Sequence, residues 1–193
     1  LLGRLKRRCV RWWAPVIALA AFGAFLALSY IAYLYLGENF QEEALPDAPA
    51  QTEDYPAKDF TLTNWEGEKA NLKDFAGKPV ILNFWASWCP PCQSEMPYFQ
   101  EAFLEHGDEV SFIMADLVDG SRETESAARR FIAEKGYTFP VYFDFTGKAA
   151  TDYGVMSIPT TFFIDGNGIV RAFHLGAMSR EMIEEEIQGL LGE

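Results

Sequence analysis

Apolar residues along the chain fall into runs of three kinds, and each kind predicts a different element. Residues 12–36 (WWAPVIALAAFGAFLALSYIAYLYL) hold no charge over 25 positions. At ~1.5 Å per residue a helix of that length reaches about 37 Å, enough to cross a ~30 Å hydrocarbon layer. Residues 80–86 (VILNFWA) and 110–117 (VSFIMADL) are short, nearly unbroken apolar runs, the pattern of strands covered on both faces. Residues 124–135 instead space their apolar positions helically, with Ala127, Ala128, Phe131 and Ile132 on one face. A last helix, capped by Ser179, carries a stripe of Met182, Ile183, Ile187, Leu190 and Leu191.

Shorter signals fill the gaps. Residues 60–63 and 70–72 flank Asn64-Trp65-Glu66-Gly67 and predict a small hairpin. Residues 160–164 and 169–173 flank Asp165-Gly166-Asn167-Gly168, a strong hairpin turn. That turn is not a calcium loop, because Ile169 and Val170 stand where a further ligand and a glycine should fall. A helix is expected to open at 89–92 and run through Phe99 and Phe103 toward His106. A short strand is expected at 141–143 and one or two helical turns at 148–153. Alternating strand and helix, then a hairpin and a helix, means an α/β sheet with helices on both faces.

Charge divides the chain. The whole carries 16 Lys+Arg against 28 Asp+Glu, a formal net charge of −12. Residues 1–37 contain five bases (Arg4, Lys6, Arg7, Arg8, Arg11) and no acid, which leaves the remainder at −17. Such an acidic body lacks the basic footprint that nucleic-acid binding requires. The organisation read from this is a basic cytoplasmic segment at 1–11, a transmembrane anchor at 12–36 and a flexible acidic tether at 37–54. A single folded domain follows at 55–193, facing outward because the basic flank stays cytoplasmic. The competing reading of the first segment is a cleaved signal peptide with a small-residue site at 27–29, but the apolar run is longer than a ~7–15-residue signal core and continues past it. Cys9 precedes the apolar run and reads as a bystander.

The reactive groups are few: three cysteines and two histidines. Trp88-Cys89-Pro90-Pro91-Cys92 directly follows an expected buried strand and opens an expected helix. Cysteines two residues apart at a helix start can close a small disulfide ring with little backbone movement. Cys89 falls at the helix N-terminus, where free N–H groups and the helix dipole stabilise a thiolate; Cys92, one turn in, is buried and placed to attack a mixed disulfide. The prolines stiffen the ring and contribute no N–H. A zinc site would need two more ligands, and the domain offers only His106 and His174, without a paired spacing. A structural disulfide closing so short a loop removes little unfolded-state entropy. Redox chemistry fits best.

From about residue 55 to 191 the chain resembles a thioredoxin-fold domain, with a central mixed β-sheet flanked by helices. Within that fold it is most similar to the TlpA/ResA group of membrane-anchored, extracytoplasmic thiol-disulfide oxidoreductases. The resemblance rests on VILNFWASWCPPC, on Glu95-Met96-Pro97 and on GVMSIPTTFFID at 154–165. Residues from about 122 to 143 correspond to the insertion that separates the group from plain thioredoxins. The resemblance implies that Pro159 is cis and lies against the Cys89–Cys92 disulfide. It also implies that Ile158 and Pro159, with Trp88 and Pro90, contact substrate. Glu95, three residues beyond Cys92, shares a helix face with it and takes the Cys92 proton during resolution; its bland alternative is a solvated helix glutamate. Pro97 falls inside the helix, as in the family. Asn83 stands where thioredoxins carry a buried Asp, and Asn cannot titrate.

The expected activity is reduction of protein disulfides outside the cytoplasm. Its partners are disulfide-containing or dithiol proteins and a membrane thiol-electron donor. The redox-active disulfide needs no other cofactor and no metal. Cytochrome c maturation is a common setting for the group. Two rivals are a copper-carrying assembly factor, which wants a wider cysteine pair and a convergent His, and a thiol peroxidase, which wants a Thr where Ala86 stands.

Overall fold

The computed structural model describes residues 6–39 and 55–192, which fall in two separate units. Most of the expected tether lies outside the described residues, as do residues 1–5 and the side chain of Cys9. The first unit is the helix α1 (Lys6–Asn39). Its stretch Pro15–Tyr33 has a mean hydropathy of 2.1 and is not buried by protein. Val16, Ile17, Phe22 and Phe25 are all uncovered. A helix satisfies its own backbone groups, so a surface of this kind suits lipid.

The second unit is the α/β domain. Its elements are β1 (Tyr55–Pro56), β2 (Thr61–Asn64), β3 (Lys69–Asn71), β4 (Val80–Trp85), α2 (Pro90–His106), β5 (Ser111–Asp116) and α3 (Glu125–Lys135), then β6 (Val141–Phe143), α4 (Lys148–Asp152), β7 (Thr160–Ile164), β8 (Ile169–Leu175) and α5 (Arg180–Leu191). They build one eight-stranded sheet in the order β1-β8-β7-β4-β5-β6-β2-β3. β4, β5 and β6 run parallel, and β7 pairs antiparallel to β4. The fold is thioredoxin-like, with a mixed sheet as expected. Helix α3 and strand β6 occupy the segment assigned to the insertion.

The unbroken apolar runs are explained by two cores, one on each face of the sheet. All six residues of β4 are buried. Ile81 and Trp85 pack with Phe99, Phe112, Met114 and Ile183 on one face, while Val80, Leu82 and Phe84 pack with Ile113, Ala150 and Phe162 on the other. Side chains alternate along a strand, so Asn83 and Asp116 share the first face with Ile81, Trp85, Phe112 and Met114. Both are fully buried.

The helices end where their sequences say. Thr124 accepts a hydrogen bond from the Ala127 amide at the start of α3, and Gly136 closes it at φ 70°, a left-handed geometry that glycine adopts without penalty. Ser179 caps α5 in the same way through Met182 N–H. Helix α2 runs on through Pro97. Two features differ from expectation. Met182 is 38% exposed while Ile183, Ile187 and Leu190 are buried, because α5 docks through a narrower stripe and Met182 lies on its flank. Strand β1 has no sequence signal; its two residues pair with Val170 and Ile169 at the edge of β8.

The antiparallel pairing of β4 with β7 sets Phe84 opposite Thr160. The chain leaving β4 therefore meets the chain entering β7 at one end of the sheet.

Candidate active site

The Cys89-Pro90-Pro91-Cys92 segment and the Ile158-Pro159 pair converge at that sheet end. Cys89 and Cys92 are joined by a disulfide with a Cα–Cα distance of 5.3 Å. Cys89 is the N-cap of α2, with proline at the first helical positions. Pro90 and Pro91 have no N–H, so the amide of Cys92 is the first donor of the helix, and it points at Cys89 Sγ from 3.2 Å. A negative charge on that sulfur would be stabilised by this donor and by the helix dipole.

Both cysteines are buried, Cys89 at 2% and Cys92 at 0% exposure. Cys89 borders a groove of about 560 Å³ whose lining includes Trp88, Pro90, Pro91, Leu117, Met156 and Ile158. Met156 is almost wholly exposed on its rim. The Ile158 carbonyl oxygen lies 3.8 Å from Cys89 Sγ. The Ile158–Pro159 peptide bond is cis, and the Pro159 carbonyl accepts a 2.8 Å hydrogen bond from Gly176 N–H. Trp88, Pro90 and Ile158 thus line one groove, with Pro159 buried next to it.

Glu95, on α2, is fully buried. Its Oε1 accepts from Asn83 Nδ2 at 2.9 Å and its Oε2 from the Met178 amide at 3.0 Å. Asn83 Nδ2 also donates to Thr161 Oγ1 at 2.9 Å. Burial pushes the Glu95 carboxyl up to about 7, against the lowering effect of the Met178 and Asn83 donors. A carboxyl poised there can exchange a proton near neutral pH, one helical turn from Cys92.

Residues 54–173 match the AhpC/TSA family. The chain is 40% identical over 132 residues to the thiol-disulfide oxidoreductase ResA of Bacillus thuringiensis subsp. konkukian, covering 68% of this chain and 75% of that protein. It is 35% identical over 153 residues to the thioredoxin-like protein YneN of Bacillus subtilis, covering 79% and 89%. The crystal structure of StoA from Bacillus subtilis superposes with a TM-score of 0.60 at 31% identity, covering 67% of this chain and 96% of that one. The chain belongs to the ResA-like thiol-disulfide oxidoreductases of the AhpC/TSA family.

In this ResA-like enzyme the two histidines sit apart from the cysteine pair. His106 Nε2 is 3.1 Å from Glu184 Oε2, and His174 Nε2 is 2.7 Å from Glu186 Oε1, both on α5. Sequence reasoning singled out Asn83 for what it cannot do; the structure shows what it does, which is to hold the Glu95 carboxylate.

Two further acids near the pair went unnoticed in the sequence. Asp116, at the end of β5, and Glu123, in the loop before α3, are both fully buried. Asp116 ends an otherwise apolar strand run, and that placement was the one available signal. Arg122 adds a third contact, its guanidinium carbon 3.3 Å from the centre of the Trp88 ring.

Proposed function

We propose that this enzyme reduces protein disulfides on the outer side of a membrane, held there by α1, with the Cys89–Cys92 pair as its redox group. The observation that carries the reading is the convergence of Cys89 Sγ, the helix N-terminus and the Ile158 carbonyl at one apolar groove. An extended substrate segment can add to the chain at Ile158 by backbone pairing while its side chains rest against Trp88, Pro90 and Met156.

In the reaction, the Cys89 thiolate attacks one sulfur of a substrate disulfide, forming a mixed disulfide and releasing the other sulfur as a thiolate. Glu95 accepts the Cys92 thiol proton. The Cys92 thiolate then attacks Cys89 Sγ, closing the enzyme disulfide and releasing the second substrate thiolate. The substrate gains two electrons and the enzyme loses two. A membrane dithiol donor returns them by the reverse exchange. The ResA relatives and the basic residues that precede the apolar stretch of α1 support an outward-facing domain. Cytochrome c maturation is the setting the resemblance suggests for its substrates. The copper-carrier reading wants a histidine at the pair, and both histidines are engaged with α5. The peroxidase reading wants a Thr where Ala86 stands.

Substrate trapping tests the proposal. Cys92→Ala in the full chain should leave Cys89 locked in mixed disulfides with dithiol proteins of native membranes. Trapping of no partner, together with failure of the wild-type chain to reduce a protein disulfide, would overturn it.

A further inference from the structure

Ala86, Ser87, Trp88 and Cys89 form a tight turn, closed by a 3.1 Å hydrogen bond from Cys89 N–H to the Ala86 carbonyl. Its two central residues are gripped by consecutive residues of the loop before α3. Glu123 Oε2 accepts from both Ser87 N–H at 3.1 Å and Ser87 Oγ at 2.9 Å, and Arg122 covers the Trp88 ring. The Ser87 carbonyl in turn accepts from Gln93 Nε2 at 2.5 Å. The gripping loop is itself closed: Asp119 Oδ1 accepts from the amides of Ser121, Arg122 and Glu123, and the Glu123 carbonyl accepts from the amides of Asp119 and Gly120. Every backbone and side-chain hydrogen-bonding group of Ser87, immediately before Trp88 and Cys89, is thus held.

Beneath this turn lies Asp116, paired in register with Trp85. Both oxygens of Asp116 and the second oxygen of Glu123 are buried without a hydrogen-bond partner among the described residues. Two carboxylates facing one another out of water do not both ionise. Burial first, and then the charge of Glu123, push the Asp116 carboxyl up to about 9, so Asp116 is the one that keeps the proton. The protonated carboxyl hydrogen-bonds the Glu123 side chain. The Asp119 charge adds a smaller push in the same direction, while the other charged groups of the neighbouring elements are engaged elsewhere: Asp144 with Thr146 and the Ala150 amide, Glu95 with Asn83 and Met178, Arg129 with Glu125 and the Trp65 carbonyl.

We propose that Glu123 is a positioning residue for thiol exchange, fixing the turn that presents Cys89 through Ser87, and that Asp116 governs whether Glu123 can hold it. The inference rests on the thiol-exchange reading. Between neutral pH and about pH 9 Asp116 holds its proton and the turn is fixed. Above that, Asp116 ionises, the two carboxylates repel and the grip on Ser87 loosens.

The test is the pH profile of the second-order rate at which the reduced full-length protein in detergent reacts with a small aromatic disulfide. Glu123→Gln keeps the shape but gives up the charge-assisted bonds to Ser87, and should slow Cys89 about tenfold, within the range that small misplacements of reacting groups produce. The wild-type rate should decline above about pH 9, and Asp116→Asn, which cannot ionise, should abolish that decline. A purely structural role for Asp116 would not remove an alkaline limb, and thermal melts show which variants are folded. An unchanged rate in Glu123→Gln, or an alkaline decline that persists in Asp116→Asn, overturns the proposal while the wild-type rate still supports thiol exchange. A wild-type protein that does not exchange at all overturns the underlying reading instead.

Discussion

Two buried acids face the same side of the sheet, Glu95 from α2 and Asp116 from β5, and their surroundings treat them differently. Glu95 sits on α2 with a donor on each oxygen, Asn83 on one and the Met178 amide on the other. Asp116 sits at the end of β5 with no donor among the described residues and with Glu123 as the strongest like charge acting on it. Burial raises both carboxyls. Donors hold Glu95 to about 7, while a like charge carries Asp116 on to about 9. The lesson is that burial sets the direction of a shift, and the polar company of the group decides whether the proton is mobile at neutral pH or permanently held. At neutral pH one site can trade protons during turnover, while the other keeps its hydroxyl until about pH 9.

The largest consequence is in stability. Both carboxyls have folded-state values above their unfolded ones of 4.5 and 3.8. In each case the folded chain keeps a proton that the unfolded chain has lost. The stabilisation is therefore complete below pH ~4 and is lost as pH rises through the folded value, at no more than about 1.4 kcal/mol per pH unit per group. Urea unfolding of the full chain should show stability falling from pH 5 to 9. Glu95→Gln should flatten the curve only up to about pH 7, and Asp116→Asn should flatten it up to about pH 9. Acids with lowered values, such as Asp119, Asp165 and Glu184, are ionised in both states across this window and add no slope. Curves of equal slope for the wild type and both variants would erase the distinction between the sites.

A smaller effect, and the one closest to chemistry, is on resolution of the mixed disulfide. Stopped-flow decay of a Cys89 adduct should be slowed about 10²-fold in Glu95→Gln at pH 8, the lower end of what a general base contributes, with the inflection near pH 7 gone. A wild-type profile without that inflection would remove Glu95 from the mechanism.

The smallest expected change breaks the comparison outright. Asn83→Asp exchanges the Glu95 donor for a second carboxyl and so recreates, under α2, the situation of Asp116. The pH inflection of resolution should then move upward from about 7 by roughly one unit. A downward move would mean that the Asn83 bond is not what restrains Glu95.

Much of this was legible in the sequence. The run at 80–86 announced a strand buried on both sides, and six of its residues are the central strand β4. Cys89 and Cys92 could be paired from their own spacing, because the chemistry of a CxxC pair at a helix start depends on local geometry that spacing encodes, whereas Pro159 was joined to them only by the family resemblance. Glu95 could be placed on the face of Cys92 by helical spacing alone. Its donors could not, since Met178 is 83 residues away. Asp116 and Glu123 were hidden for the same reason. An acid at a strand end usually reaches solvent, and only the docking of the 117–124 loop over Ser87 and Trp88 closes that route. Met182 erred the other way: its spacing joined a stripe that tertiary packing did not fully cover.

The Cys89–Cys92 bond spans a sequence separation of three, so it can form in any chain, folded or not, wherever an oxidant is at hand. The approach of Ile158 to Cys89, across 69 residues, cannot. Oxidation state is thus blind to folding quality in this protein. A chain released across a membrane into an oxidising space could be fully disulfide-bonded and still inert, until the β4–β7 pairing brings the substrate-binding edge to the sulfur.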